Sequence, residues 1–212
     1  MNQDMEQFRK EYSLLSLSEP NTSSDPFDQF SLWFNEAIDS GIQEPNAMAF
    51  ATASPDGMPS IRMMLLKAIE ADGFVFFTNY YSRKGIHLSN NAKGGMLFFW
   101  NELQRQVRIE GKVARTTEEY SDEYFLNRPF ESRVGAIISH QSAKLNSREK
   151  LEEDFKRMIE DENQTLARPE YWGGFILKPV LFEFWQGREH RLHDRVQYRL
   201  KDSVWLKERL AP

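Results

Sequence analysis

The feature that most limits how this chain can fold is a change of hydrophobic period at residue 47. Short apolar segments then follow one another, AMAFATA, PSIRMMLLKAI and FVFFTN, and the turn sequences SPDG and EADG separate them. Glycine-containing turns between short apolar segments are typical of β-hairpins. The pattern therefore predicts three strands of an antiparallel sheet.

The same pattern returns twice further along the chain. GGMLFFWN and QRQVRIEGKVAR predict two more strands, and GGFILKP, VLFEFWQG, RLHDRVQYRL and VWLKERL predict a last group near the C-terminus. Helix starts are predicted from capping residues. They are Asp25 followed by Pro26, Ser82, Thr116 paired with Glu119, and Asn146 paired with Glu149. Many short strands with few helices predict a mainly β fold of the α+β type, an antiparallel barrel with peripheral helices.

No repeat or linker divides the chain. Residues 1–24 are polar and contain the turn-forming sequence SEPNTSSDP, so we expect a mobile N-terminal arm, followed by a single domain over residues 25–212.

Composition excludes several classes of protein. The 212 residues carry a formal net charge of -5, which argues against a broad basic surface for nucleic acid. No apolar run is long enough to span a membrane, and the N-terminus is polar, so we expect a soluble cytoplasmic protein. With no cysteine, disulfides, thiolate nucleophiles and cysteine-ligated zinc are excluded.

One stretch concentrates positive charge in this acidic chain. The sequence WQGREHRLHDR, residues 185–195, holds three arginines and two of the four histidines. If it is a strand, Arg191, His193 and Arg195 share one face. A zinc site is the least favoured interpretation, because alternation separates His190 from His193 and no third ligand is near. A solvated hairpin and a clamp for an anionic or electron-rich ligand both remain open.

Other basic residues favour an anion. Arg83 and Lys84 fall in the first turn of the helix that Ser82 begins, where free backbone N–H groups attract phosphate. The alternative is a frayed helix at the surface with no ligand. Arg62 and Lys67 lie in an apolar strand, and their spacing of five predicts that they face opposite sides and serve different partners or sites. A bulge between them, or a strand that ends at Lys67 in water, would remove this expectation.

A further group could bind a phosphate and a flat ring. Tyr124 and Arg128 are four apart on one predicted helix face, and Ser132 follows the break at Pro129. Amide, hydroxyl and aromatic side chains suited to a planar heterocycle are Gln106, Gln141, Ser142 and Trp185.

The order of these motifs is more specific than any one of them. RMMLLK, FTN followed by SRK, RQV, YFLNRP, HQS, YWGGF, FWQG with EHRLHDR, and the terminal RLAP resemble the pyridoxine (pyridoxamine) 5'-phosphate oxidase family from about residue 8 to the end. The resemblance implies a split β-barrel homodimer with FMN bound at the interface by both chains. It also implies that oxygen oxidises pyridoxamine 5'-phosphate and pyridoxine 5'-phosphate to pyridoxal 5'-phosphate, with hydrogen peroxide as a product and ammonia released from the amine, as part of vitamin B6 metabolism.

The resemblance also implies roles for individual residues, and it implies no metal. The FMN residues are Arg62, Lys67, Phe77, Thr78, Arg83, Lys84, Gln106, Gln141, Ser142, Trp185 and Arg195. The substrate residues are Lys67, Tyr124, Arg128, Ser132, Arg191 and His193, with Arg9 and Tyr12 of the arm closing over the substrate. Arg191 and His193 are also the implied catalytic residues. One departure is visible, because Phe77 stands where many relatives have tyrosine.

Two alternatives remain open at this level. Another FMN-dependent oxidase on the same barrel, like those of phenazine biosynthesis, would keep the flavin site and change the substrate. A non-catalytic carrier of flavin or pyridoxal phosphate would bind its ligand without consuming oxygen. Nucleic-acid binding ranks last, because the basic residues are dispersed among apolar strands.

Overall fold

The computed structural model describes residues 12–160 and 165–212. The helices are α1 (Pro26–Asp39), α2 (Arg83–Asn90), α3 (Glu118–Leu126), α4 (Phe130–Ile138) and α5 (Arg148–Glu160). The strands are β1 (Ala47–Ala53), β2 (Pro59–Leu65), β3 (Ala68–Glu70), β4 (Gly73–Asn79), β5 (Lys93–Trp100), β6 (Arg105–Arg115), β7 (Trp172–Gln186), β8 (Asp194–Lys201) and β9 (Val204–Leu210).

The strands join in one sheet whose order is β2-β1-β5-β6-β7-β4-β3, with β8 pairing with β7 and β9. β4 is antiparallel to β3 and to the first half of β7, whereas β8 is antiparallel to the second half of β7 and to β9. The chain divides into two compact units. The first unit is Met1–Ala49, Gly95–Glu110 and Pro179–Pro212, and the second unit is Phe50–Gly94 and Gly111–Lys178.

Each unit has an aromatic core. In the first unit, α1 buries Phe30 and Trp33, and the Phe30 ring lies 5.0 Å from that of Phe98. In the second unit, the rings of Phe50 and Phe76 are 4.6 Å apart, and both side chains are fully buried. Burying each such side chain contributes about 1.5–3 kcal/mol, so these rings supply much of the driving force for folding.

Residues 12–24 make several contacts within the first unit. Leu17 is buried, and its N–H donates to Asp194 Oδ2 at 3.0 Å. The Tyr198 hydroxyl donates to the carbonyl of Ser23 at 2.7 Å. Arg9 lies outside the described residues, and the role of the arm as a lid stays a prediction.

Two of the predicted helix starts are confirmed. Asp25 caps α1 by accepting from the Phe27 N–H at 2.8 Å, and Pro26 is its first residue. Ser82 caps α2 and accepts from the Gly85 N–H.

The other two predicted helix starts are displaced by one residue. The cap of α3 is Thr117 rather than Thr116, because the Thr116 hydroxyl is bonded instead to Ser121. The Ser147 hydroxyl accepts from the Lys150 N–H at the start of α5, where Asn146 was expected.

Three strand predictions are wrong in extent. PSIRMMLLKAI is interrupted, since β2 ends at Leu65 and β3 begins at Ala68. GGFILKP and VLFEFWQG form one continuous strand, β7. RLHDRVQYRL is a strand only from Asp194, because the preceding residues form a turn.

Within residues 12–160 and 165–212, no helix is long and apolar enough to cross a membrane. The expected cytoplasmic location stays a prediction.

Candidate active site

A cavity of about 950 Å³ opens in the second unit. Strands β2 and β4, the first turn of α2 and the α3–α4 connection contribute to its walls. The predicted site residues that line it are Arg62, Lys67, Phe77, Thr78, Arg83, Lys84, Tyr124, Arg128, Ser132, Gln141 and Ser142. The structure therefore gathers most of the predicted phosphate and flavin residues around one space.

The charge of this cavity is one-sided. Its cationic side chains are Arg62, Lys67, Arg83, Lys84 and Arg128, and no Asp or Glu is among the described residues that line it. Cations gathered around a cavity repel one another and raise the local concentration of anions. The cavity is therefore suited to a ligand that carries one or more phosphate groups.

Arg62 and Lys67 contradict the expectation that they face opposite sides of the sheet. Strand alternation would turn them to opposite faces, but β2 ends at Leu65 and the chain bends before β3. Both residues consequently line the same cavity.

The hydrogen-bond partners of Arg62 among the described residues are all neutral. Its guanidinium donates to the Phe50 carbonyl at 3.0 Å, to Thr52 Oγ1 at 2.9 Å and to Ser60 Oγ at 2.7 Å. Burial, and then the charge of Arg83, lower the pKa of Arg62. These bonds fix the direction of the guanidinium without neutralising it, so its charge remains available to an anion.

Lys84 is the most buried cation of the cavity, with 7% of its surface exposed. Its Nζ donates to Thr78 Oγ1 at 3.0 Å and to Gln141 Oε1 at 3.2 Å. Burial, and then the charge of Arg62, lower the pKa of Lys84 to about 8. This ammonium lies in the first turn of α2, where the helix dipole also disfavours a cation, so a bound anion would stabilise it.

The prediction that Tyr124 and Arg128 share one helix face was wrong, whereas Ser132 does follow the break at Pro129. Tyr124 lies in α3, which ends at Leu126, Arg128 lies in the connection, and Ser132 belongs to α4. The turn at Pro129 nevertheless brings all three to the cavity.

Arg128 carries an unsatisfied donor. Its Nη1 is buried and has no hydrogen-bond partner among residues 12–160 and 165–212, and its guanidinium carbon lies 4.7 Å from the centre of the Trp172 ring. Burial lowers the pKa of Arg128 and raises that of Tyr124. Leaving such a donor unpaired costs about 1–3 kcal/mol, which a phosphate oxygen would recover.

Aromatic rings stack beside these cations. The Phe77 and Tyr124 rings are 3.6 Å apart and nearly parallel, and the Trp172 ring lies 5.5 Å from Phe77. Phenylalanine at position 77 therefore keeps the flat aromatic surface.

Gln141 and Ser142 are exposed residues that line the cavity. Gln141 Oε1 accepts from Thr78 at 2.9 Å as well as from Lys84, and Ser142 has a left-handed φ of 71°. Both residues follow α4, which ends at Ile138.

The other predicted site residues belong to the first unit. Those that the structure describes are Tyr12, Gln106, Trp185, Arg191, His193 and Arg195. None of them lines the cavity described above.

Arg191 and His193 do not lie on a strand face with Arg195. Residues Glu189–Arg191 form a short 3₁₀ turn, in which His190 and Arg191 have left-handed φ values of 55° and 62°. The prediction of strand alternation was wrong here, because β8 begins only at Asp194.

His193 is surrounded by aromatic rings and one backbone donor. Its ring lies 4.7 Å from Trp185 and 5.9 Å from Tyr12, and the Arg188 N–H donates to its Nδ1 at 3.1 Å. Burial, and then the charge of Arg191, lower the pKa of His193.

Sequence reasoning missed Glu183, which positions Arg195. The Glu183 side chain is 3% exposed, and its Oε1 accepts from Arg195 Nε at 2.9 Å while its Oε2 accepts from Arg108 Nη2 at 2.6 Å. Arg195 also donates to the carbonyl of Ala211 at 2.8 Å. The signal was present, since a lone carboxylate within the apolar run VLFEFW is seldom buried without cationic partners.

Two family models match the chain. The model described as pyridoxamine 5'-phosphate oxidase matches residues 34–160, and the model described as the pyridoxine 5'-phosphate oxidase C-terminal dimerisation region matches residues 172–212. The chain belongs to the pyridoxamine 5'-phosphate oxidase family. The family resemblance predicted from its motifs is thereby confirmed.

Relatives of full length support the same family. Proteins named pyridoxine/pyridoxamine 5'-phosphate oxidase from Gloeothece citriformis and Trichormus variabilis are 47% and 48% identical, and each comparison covers 100% of both chains.

Solved structures support the fold. PhzG from Burkholderia lata, crystallised with tetrahydrophenazine-1-carboxylic acid, is 29% identical with a TM-score of 0.90 over 96% of this chain and 100% of that one. An FMN-binding protein from Nostoc punctiforme, related to pyridoxamine 5'-phosphate oxidase, is 15% identical with a TM-score of 0.73 over 90% of this chain and 100% of that one. The predicted fold class, an antiparallel split β-barrel of the FMN-binding type, is confirmed.

Proposed function

We propose that this member of the pyridoxamine 5'-phosphate oxidase family uses FMN to oxidise pyridoxine 5'-phosphate and pyridoxamine 5'-phosphate to pyridoxal 5'-phosphate. Oxygen is the final acceptor, hydrogen peroxide is a product, and the amine also releases ammonia. The observation that carries the proposal is the cavity of the second unit, where cations without carboxylate partners among the described lining residues adjoin stacked aromatic rings. The full-length similarity to enzymes with this name supports it.

The cavity residues fit FMN by their chemistry. Within the part of the chain that the structure describes, the hydrogen-bond partners of Arg62 and Lys84 are neutral acceptors, and Arg83 is exposed at the N-terminus of α2. We assign these three cations to the FMN phosphate. Residues that would line the flavin ring are Phe77, Thr78, Gln141 and Ser142. Bound FMN supplies a two-electron acceptor that oxygen reoxidises.

The substrate phosphate is assigned to Arg128 with Lys67, Tyr124 and Ser132. The buried Arg128 Nη1 has no partner, so a phosphate oxygen would satisfy it. Hydrogen bonds to a charged group contribute about 1.5–3 kcal/mol each, and several of them hold the planar substrate in one orientation. In well-oriented intramolecular reactions, correct positioning of the reactants supplies up to about 7–11 kcal/mol of the rate enhancement.

Arg191 and His193 are the residues of the first unit assigned to the substrate. The Arg191 guanidinium is exposed and always charged, so it would stabilise negative charge that develops on the substrate. Gln106, Trp185 and Arg195 are assigned to the flavin.

We further propose a homodimer with FMN at its interface. The family description of residues 172–212 names a dimerisation region. On β2, Ile61 and Met63 are 68% and 67% exposed, on either side of the inward-facing Arg62. Large exposed apolar side chains beside a binding cavity are typical of a surface that a partner covers.

Oxygen consumption by the purified protein tests the proposed reaction. We expect a flavin absorbance spectrum, and we expect oxygen uptake with equimolar hydrogen peroxide when pyridoxine 5'-phosphate is added. A yellow protein that consumes no oxygen would indicate the carrier instead. A protein that retains no FMN after purification and reconstitution would contradict both.

A further inference from the structure

We propose that His193 donates a hydrogen bond to an acceptor atom of the substrate. The backbone N–H of Arg188 sets the imidazole tautomer that allows His193 to act as this donor. His193 would then be a neutral ring with its single proton on Nε2, and it would not serve as the base of the reaction. The inference deepens the proposed function and rests on it for the identity of the substrate.

The position of the Arg188 N–H decides the tautomer. It donates to His193 Nδ1 at 3.1 Å, so the Nδ1 lone pair must point at this donor. A proton on Nδ1 would bring two N–H groups face to face and would remove this bond. In a neutral imidazole one nitrogen carries the proton and the other accepts, so the proton belongs to Nε2.

The same contact opposes the imidazolium form. A second proton could enter only at Nδ1, at the cost of the bond from Arg188. Burial and the charge of Arg191 lower the pKa of His193, which favours the neutral ring for an independent reason.

Neighbouring residues keep the ring in this orientation. The Trp185 ring lies 4.7 Å from His193 at 45°, and the Tyr12 ring lies 5.9 Å away at 64°. Gly187 permits this arrangement, because a Cβ there would come within 2.7 Å of the Tyr12 ring. The loop that carries the Arg188 N–H is itself tied down, since the Gly187 N–H donates to the carbonyl of Gln104 at 2.8 Å.

The chemical consequence concerns which atom can take a proton. Nδ1 is occupied and Nε2 already carries a proton, so neither nitrogen can accept the proton that the substrate's hydroxyl or amine loses on oxidation. Nε2–H can instead donate to an oxygen or nitrogen lone pair of the bound ring. Arg188 is accordingly a positioning residue that acts through its backbone.

Nitrogen-15 NMR of histidine-labelled protein tests the tautomer without any reaction. At pH 7.5 we expect the His193 resonances of a neutral ring with a protonated Nε2 and an unprotonated Nδ1. The spectrum of His193→Gln assigns them among the four histidines. A protonated Nδ1, in either the neutral or the doubly protonated ring, would overturn the proposal even if the enzyme is active.

Kinetics of the reconstituted holoenzyme test the role. The Gln amide places an N–H donor near the Nε2 position, whereas the shorter Asn amide reaches only the Nδ1 position. We expect His193→Gln to raise KM for pyridoxine 5'-phosphate less than His193→Asn does, with kcat reduced less than tenfold in the Gln variant. Leu192→Ala, which removes an exposed neighbouring side chain, is the matched control.

A general base contributes about 10²–10⁴-fold to the rate. A fall in kcat of more than a hundredfold in both variants, with KM unchanged, would therefore show proton transfer by His193 and refute the donor role. If the wild-type protein oxidises neither substrate, the proposed function fails, but the NMR result still decides the tautomer.

Discussion

At the scale of single residues, the most informative groups are cationic side chains that lack an anionic partner or leave a hydrogen-bond donor unpaired within the described residues. Arg128 has a buried Nη1 without a partner, and Arg62 lies among neutral acceptors. Buried polar groups in folded proteins are nearly always paired, so an unpaired donor on a residue that lines a cavity is consistent with a ligand there.

Arg128→Ala should selectively weaken substrate binding. Loss of one charged hydrogen bond costs about 1.5–3 kcal/mol, so KM for pyridoxine 5'-phosphate should rise about 10- to 150-fold while FMN is retained. Steady-state oxygen uptake measures KM, and the flavin absorbance of the purified variant measures retention. The control is Arg148→Ala, whose side chain is 81% exposed. An unchanged KM would remove the phosphate assignment and favour an oxidase with a different substrate.

Glu183→Gln should weaken FMN binding through Arg195. The substitution removes the buried charge that faces both Arg108 and Arg195, so Arg195 loses its fixed direction. Titration of the apoprotein by quenching of flavin fluorescence should show a higher Kd for FMN. Glu110→Gln removes a half-exposed partner of Arg108 at 3.4 Å and should leave the Kd close to that of the wild type. Equal Kd values for both variants would argue against the positioning role.

At the scale of elements, the N-terminus of α2 combines a cap, two cations and a tightly packed glycine. Ser82 satisfies the Gly85 N–H, and Lys84 points to Thr78 on the neighbouring strand. The sequence SRKG therefore fixes where the helix begins and where its ammonium lies.

FMN affinity should fall as the pH rises above about 8. The pKa of Lys84 in the free protein is depressed to about 8, and a bound phosphate stabilises the ammonium, so this pKa is higher in the complex. Between the two values binding takes up a proton, and the affinity decreases with increasing pH. Measurement of Kd from pH 7.5 to 9.5 tests this. The Lys84→Met variant should bind more weakly throughout and lose this pH dependence, and an equal slope in both proteins would contradict the assignment.

Gly85→Ala should lower Tm, whereas Gly135→Ala should not. A Cβ at position 85 would meet the Tyr80 carbonyl oxygen at 2.1 Å, so the start of α2 must move at a cost of about 1–3 kcal/mol. A Cβ at position 135 meets nothing within 4 Å, and alanine is favoured over glycine in a helix by about 1 kcal/mol. Thermal unfolding followed by circular dichroism compares them. Equal Tm values for the two variants would show that the backbone at Tyr80 can move at little energetic cost.

At the scale of the whole molecule, the proposed assembly is a homodimer. The exposed Ile61 and Met63 flank Arg62 on β2, an outer strand of the sheet order. A surface that joins apolar side chains to a cationic cavity would link dimer formation to FMN binding.

Ile61→Asp should weaken the dimer and FMN binding together. A carboxylate there would be buried against the partner and would also add negative charge beside the phosphate site. Light scattering during size-exclusion chromatography should show twice the chain mass for the wild type and a larger monomer fraction for the variant. Ile38→Asp, on the exposed side of α1, is the control. A wild-type monomer that retains FMN would refute the interface proposal.

The sequence by itself determined the family, the β-rich class and half of the residues that line the cavity, including all of its cations. Those conclusions rest on local signals, such as the cap and first turn at SRK and the order of the motifs. The tertiary structure decided the features that depend on contacts between residues distant in sequence. The break after Leu65 brings Lys67 beside the same cavity as Arg62, and the left-handed turn at His190 and Arg191 displaces both from the strand. Glu183 pairs with Arg108 across 75 positions. Periodicity describes regular backbone, so it fails where a strand ends, and it carries no information about which distant charge neutralises a buried one.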